Sequence, residues 1–203
     1  MQKLLLALVC ASAALTAQAA VVSSLPGGTV LDMPSGTFDE AHVFGPQTLS
    51  DGVTWQSDSE TQLFGYAGHY GFNLNGYWSG LPMAAANDAS SKMQLAFAKP
   101  VGAVGALFNY SPNLGNATIA VYDANHVLIE STVLQIALPS DSVNQGVFYG
   151  FRASSANISY FEMSGAFIGA ANFMVAAVPE PATYGMLLAG LGMLGLLARR
   201  RRH

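Results

Sequence analysis

The sequence predicts a mainly-β fold, an antiparallel β-sandwich or jelly roll, preceded by an N-terminal leader and followed by one C-terminal apolar helix. Three observations carry this. Met93, Leu95 and Phe97 alternate with Lys92, Gln94 and Ala96, the period of two of a strand with one face buried. Two β-rich runs, Thr118-Ile119-Ala120-Val121-Tyr122 and Val127-Leu128-Ile129-Glu130-Ser131, flank the turn-forming Asp123-Ala124-Asn125-His126 and read as a hairpin. Glycine and proline punctuate the gaps, and no stretch of ten residues holds a helical period.

Further strands are expected at 53–56, 62–66, 104–110, 147–152, 158–163 and 167–175. Short strands at this spacing bury one face each by closing over one another as two sheets. No internal repeat of fixed period is present. The division that follows is a leader over 1–19, a β-sandwich over 20–177 and a C-terminal segment over 178–203.

Charge excludes one large class of function. The chain has 203 residues, 10% of them charged. Lys3 lies in the leader and Arg199 to Arg202 close the chain, so Lys92, Lys99 and Arg152 are the body's only basic residues. Set against eleven Asp and Glu, those three leave the body at a net charge of −8. Such a surface cannot neutralise phosphates, and no nucleic-acid partner is expected. The single cysteine, Cys10, sits in the leader, so the body has no disulfide, cysteine-ligated metal or thiol nucleophile.

The two ends carry the clearest signals. Lys3 precedes an apolar run from Leu4 to Leu15, and Ala17-Gln18-Ala19 supplies the small-x-small pattern cut by signal peptidase, here before Ala20. At the other end Val178-Pro179-Glu180-Pro181 precedes an uncharged, leucine-rich stretch over 182–198, then Arg199-Arg200-Arg201-Arg202-His203. As a helix that stretch spans roughly 25 Å, a little short of a ~30 Å hydrocarbon core, and snorkelling arginines close the gap. By the positive-inside rule the arginines stay cytoplasmic and the body lies across the inner membrane.

This three-part tail resembles the PEP-CTERM sorting signal of Gram-negative bacteria. The resemblance implies an exosortase, a polytopic membrane protease or transpeptidase, as partner and processing near the Pro-Glu-Pro motif. Pro179, Glu180 and Pro181 would be its recognition motif and Arg199, Arg200, Arg201 and Arg202 the stop signal. It further implies transient anchorage in the inner membrane, then delivery to the cell surface or an exopolysaccharide biofilm matrix. Proline lacks an amide donor and holds the chain extended, which suits a strip that a protease must reach. The body is similar to lectin-like jelly rolls of extracellular PEP-CTERM proteins through Asp51-Gly52-Val53-Thr54-Trp55, Tyr70-Gly71-Phe72 on to Trp78, Pro100-Val101-Gly102-Ala103-Val104-Gly105 and Val121-Tyr122-Asp123-Ala124-Asn125. Relatives often carry an Asp-Asn pair in the last strand. Here Ala170-Ala171-Asn172-Phe173 lacks the carboxylate, which counts against a structural calcium.

The body offers little that reads as chemistry. There is no Gly-x-Ser-x-Gly elbow, His-Glu-x-x-His or phosphate-cradling loop, and His42, His69 and His126 stand far apart. Asp39, Glu40, Asp51, Asp58 and Glu60 are oxygen donors of the kind Ca²⁺ takes, yet a solvated acidic surface accounts for them more simply, and no cofactor is expected. No carboxylate pair is marked for glycoside hydrolysis, and the threonines form no Thr-x-Thr ladder of the kind an ice-binding face needs. One stretch, 64–78, concentrates rings and amides. Tyr66, Tyr70, Asn73, Asn75, Tyr77 and Trp78 have the makings of a carbohydrate site, with rings for the apolar sugar faces and amides for the edges. Packing in the sandwich core or its loops accounts for the same residues more simply. The sequence therefore predicts an exported, non-catalytic envelope or matrix protein, with a polysaccharide-binding module as the alternative.

Overall fold

The computed structural model describes residues 18–34, 45–50 and 52–177. The leader up to residue 17, the segment 178–203 with its expected transmembrane helix, and Asp39, Glu40, His42 and Asp51 lie outside the described residues. Among the described residues no helix is long and apolar enough to cross a membrane.

In chain order the strands are β1 (Ala19–Val22), β2 (Thr29–Val30), β3 (Gln47–Ser50), β4 (Val53–Ser57), β5 (Leu63–Tyr66), β6 (Tyr70–Gly71), β7 (Tyr77–Trp78), β8 (Met83–Ala85), β9 (Lys92–Val101), β10 (Ala103–Asn109), β11 (Thr118–Tyr122), β12 (Leu128–Val133), β13 (Val147–Ala153), β14 (Ile158–Ser164) and β15 (Gly169–Ala176). One sheet runs β1-β13-β10-β15-β8-β5, with β2 also paired to β15. The other runs β12-β11-β14-β9-β4-β3, and β6 and β7 form a separate two-stranded sheet, with Tyr77 also bridged to Val143. These ladders are antiparallel. The expected antiparallel β-sandwich is the fold.

The six-stranded sheet follows the alternation read in the sequence. Trp55, Met93, Leu95, Phe97, Ile119, Val121, Phe161 and Met163 are buried, while the residues between them on β4, β9 and β14 are exposed or half-buried. Their apolar face meets Val104, Phe108, Phe151 and Phe173 of the other sheet in one core. Rings cross the gap: Phe161 lies 6.1 Å from Phe108 and 6.2 Å from Phe151, both edge-on, and Trp55 lies 5.0 Å from Phe64. Each phenylalanine so buried contributes about 1.5–3 kcal/mol of transfer free energy. The 118–131 hairpin forms as expected, its turn tied by Asp123, which accepts from the backbone N–H of Asn125 and Val127 at 2.8 Å each.

The larger sheet departs from alternation, and for a physical reason. Most residues of β5, β8 and β10 are buried regardless of parity. The chain between β5 and β8 folds over the outer face of this sheet and covers it with a second apolar cluster, in which Tyr70, Phe72 and Trp78 pack on Leu63, Met83, Ala85 and Ala171. A sheet covered on both sides reads as an unbroken apolar run. At the N-terminal edge, β1 already includes Ala19, buried and paired with Ala153.

Candidate functional site

The 64–78 stretch folds around a 3-10 turn at Asn73–Asn75, flanked by the small β6–β7 hairpin. Gly76 closes the turn at φ 77°, and a β-carbon there would strike Ser142. Phe72 and Trp78 meet edge-on at 4.9 Å, Tyr70 and Phe72 at 5.1 Å, and Phe72 and Trp78 are fully buried. The Trp78 indole N–H donates to the Gln145 carbonyl at 2.6 Å.

Asn75 is a hub inside this layer. Its amide donates to the carbonyls of Tyr110 (3.2 Å) and Ile136 (3.0 Å), and its side-chain oxygen accepts from the Leu138 N–H at 3.1 Å. Its backbone carbonyl accepts from the Asn109 amide at 2.9 Å. These bonds join the 73–75 turn to segments 35 and 61 residues away. Tyr70 has a buried hydroxyl with no hydrogen-bond partner among the described residues, and burial, helped by the charge of Asp88, holds its phenol well above the usual range. Asp88 itself lies below the usual carboxylate range. Burial opposes this, but hydrogen bonds from Ser91 and Ser90 outweigh it, the backbone N–H groups reaching it at 2.6 and 2.7 Å.

The six residues offered as a possible sugar platform do not share one surface. Tyr70, Asn75 and Trp78 face inward and are occupied by packing or internal hydrogen bonds, apart from the orphaned Tyr70 hydroxyl. Tyr66 and Tyr77 are half-buried, Asn73 is exposed, and Tyr77 lies 4.7 Å from exposed His69. Of the acidic residues considered for calcium, Asp58 instead accepts from the Lys92 backbone N–H at 2.9 Å. Among the described residues no three His, Cys, Asp or Glu gather as a metal site.

A second constellation lies on the outer face of the six-stranded sheet. Register places Gln56 beside Gln94 and Gln94 beside Glu162 in one row, and Ala96, Tyr160 and Tyr122 in the next. Lys92 and Glu162 form an ion pair at 3.3 Å, and the Tyr122 hydroxyl donates to the other Glu162 oxygen at 3.4 Å. Burial and the Glu162 charge raise the Tyr122 phenol, with Lys92 opposing. His126, at φ 57° in the β11–β12 turn, lies flat on Tyr160 with ring centroids 3.9 Å apart and planes 18° apart. A depression of about 280 Å³ opens among Gln56, Asp58, Lys92, Gln94, His126 and Glu162. The signal in the sequence was the polar half of the strand alternation, Lys92 and Gln94, read there only as a solvent face.

Against known proteins, residues 177–202 match the PEP-CTERM protein-sorting motif. The chain carries that sorting signal, as the tail's resemblance implied, and Pro179, Glu180, Pro181 and Arg199 to Arg202 fall within the match. No curated protein matches the chain. Solved structures similar to it include a Streptococcus pneumoniae fucose binding module, at 14% identity over 46% of this chain and 69% of that one, with a TM-score of 0.33. The lectin domain of lectinolysin, solved with Lewis B antigen, shows 15% identity over 48% and 72%, with a TM-score of 0.33. Likeness at that level assigns no ligand to this chain.

Proposed function

We propose that the protein is an exported, non-catalytic β-sandwich that an exosortase processes at its C-terminal motif, for display at the cell surface or in the extracellular polysaccharide matrix. The observation that carries this reading is the junction between fold and motif. β15 ends at Ala176 and the sorting motif begins at residue 177. Processing near Pro179-Glu180-Pro181 therefore removes none of the strand residues that complete the sandwich. The non-catalytic part rests on His69 and His126, which stand on rings, and on Asp58, Asp88, Asp123 and Glu162, whose carboxylates hold turns or pair with Lys92.

The test is to express the full chain in cells with and without an exosortase and to weigh its C-terminal peptides. The expected result is loss of Arg199 to Arg202 only where the exosortase is present. An intact arginine tail in both strains overturns the proposal.

A further inference from the structure

We propose that the depression on the outer face of the six-stranded sheet binds a neutral hexopyranose unit of a polysaccharide, held by Gln56, Gln94 and Glu162 beside the stacked rings of His126 and Tyr160.

The donor and acceptor set points to a sugar. Gln56 and Gln94 sit side by side on β4 and β9, and each carboxamide offers two donors and one acceptor. Among the described residues neither makes a side-chain hydrogen bond, which leaves both amides open to the hydroxyls of a sugar. Glu162 stands next in the same row and retains acceptor capacity beyond its contacts with Lys92 and Tyr122. A row of amide, amide and carboxylate at strand spacing, about 4.8 Å apart, matches hydroxyls placed around a ring better than it matches an apolar ligand.

Charge selects the neutral class. Lys92 is matched by Glu162, and the remaining carboxylate at the depression, Asp58, has no cation paired with it among the described residues. An acidic sugar would meet net negative charge, whereas a neutral one meets hydrogen-bonding groups alone. The rings supply the other half of the recognition. His126 is exposed yet held flat on Tyr160, and Asp123 pins the turn that carries it. A ring fixed before the ligand arrives loses little entropy on binding. At about 280 Å³ the depression is at the small end of ligand sites, which suits one sugar ring of a longer chain.

The test uses the full chain in a detergent without a sugar headgroup, followed by NMR of the glutamine side-chain amides. The probes are the methyl glycosides of glucose, galactose and mannose, cellohexaose, and trigalacturonate as the anionic counterpart. Expected are shifts of the Gln56 and Gln94 amide signals with at least one neutral probe, and binding at least about tenfold weaker for trigalacturonate. Gln94→Ala and His126→Ala each weaken the neutral probe by about tenfold, while Tyr77→Ala, on the opposite sheet's cover, leaves it unchanged. Unshifted amides with every neutral probe, shifts confined to the 66–78 segment, or preference for trigalacturonate each overturn the proposal. The tail assay reads a different end of the chain, so either proposal can fail without the other.

Discussion

The ring of Phe72 closes over the α-carbon of Gly169: a β-carbon added there would lie 2.8 Å from Cζ of Phe72 and 3.1 Å from Cζ3 of Trp78. Gly169 opens β15, a central strand, so the aromatic cover and the sheet approach each other only because one side chain is missing. Gly169→Ala is expected to destabilise the fold by about 1–3 kcal/mol through overpacking. Thermal unfolding reads this directly, and an unchanged midpoint would mean that the cover is not seated as described.

Neighbouring aromatic positions are expected to behave very differently. Trp78 is fully buried with its N–H bonded to Gln145, so Trp78→Ala should cost about 3–5 kcal/mol. Tyr77 is half-buried against His69, and Tyr77→Ala should cost less than half of that. Denaturant midpoints of the two variants compared side by side check the difference.

Asn75 tests the polar hub. Asn75→Ala strands the Leu138 N–H and the carbonyls of Tyr110 and Ile136, an expected loss of about 2–4 kcal/mol. Asn75→Asp should also destabilise near neutral pH, since a carboxylate cannot donate to either carbonyl. Its defect should shrink in mild acid, where protonation restores one donor.

At Tyr70 the sign reverses. Its hydroxyl is buried without a partner among the described residues, so Tyr70→Phe removes a desolvation cost and should stabilise by up to about 1 kcal/mol. A clear fall in the unfolding midpoint would show that the hydroxyl contributes a bond.

Asp88 sets a pH dependence. Its folded pKa is below the usual value, so its contribution is complete above about pH 4, the unfolded range. It is lost as the pH falls through the lower folded value. The stability of the parent chain relative to Asp88→Asn should therefore decline on acidification from pH 6 to 3. A difference that stays flat across that range would contradict the hydrogen bonds from Ser90 and Ser91.

The sequence made one sheet legible and concealed the other. Where only one face is buried, as on β9, Met93, Leu95 and Phe97 announce the strand. Where both faces are covered the alternation disappears: β8, Met-Ala-Ala, has neither period nor β-branched residues and passes unnoticed, although it is fully buried. The short β1, β2, β3, β6 and β7 were missed as well. Composition alone also cannot separate a core from a platform. Trp78 and Tyr77 are adjacent and chemically alike, and the 3-10 turn with its anchor at Asn75 decides which one is sealed in. The groove is harder still to read, because Gln56, Gln94 and Glu162 come together through strand register and His126 reaches them from the β11–β12 turn, with no spacing of their own. Only the tail, with three parts in linear order, could be read without a fold.

β15 is bonded to β10 along one edge and to β8 and β2 along the other, and it is also the strand that leads into the sorting tail. A pull applied through that tail thus enters at the middle of the sheet. Pulled along its axis, that strand loads ladders on both of its edges in shear, with many bonds resisting together, whereas an outermost strand pulled the same way would load one ladder only. The C-terminal strand of the body is therefore bonded along both edges, so a load applied there is shared between two ladders from the start.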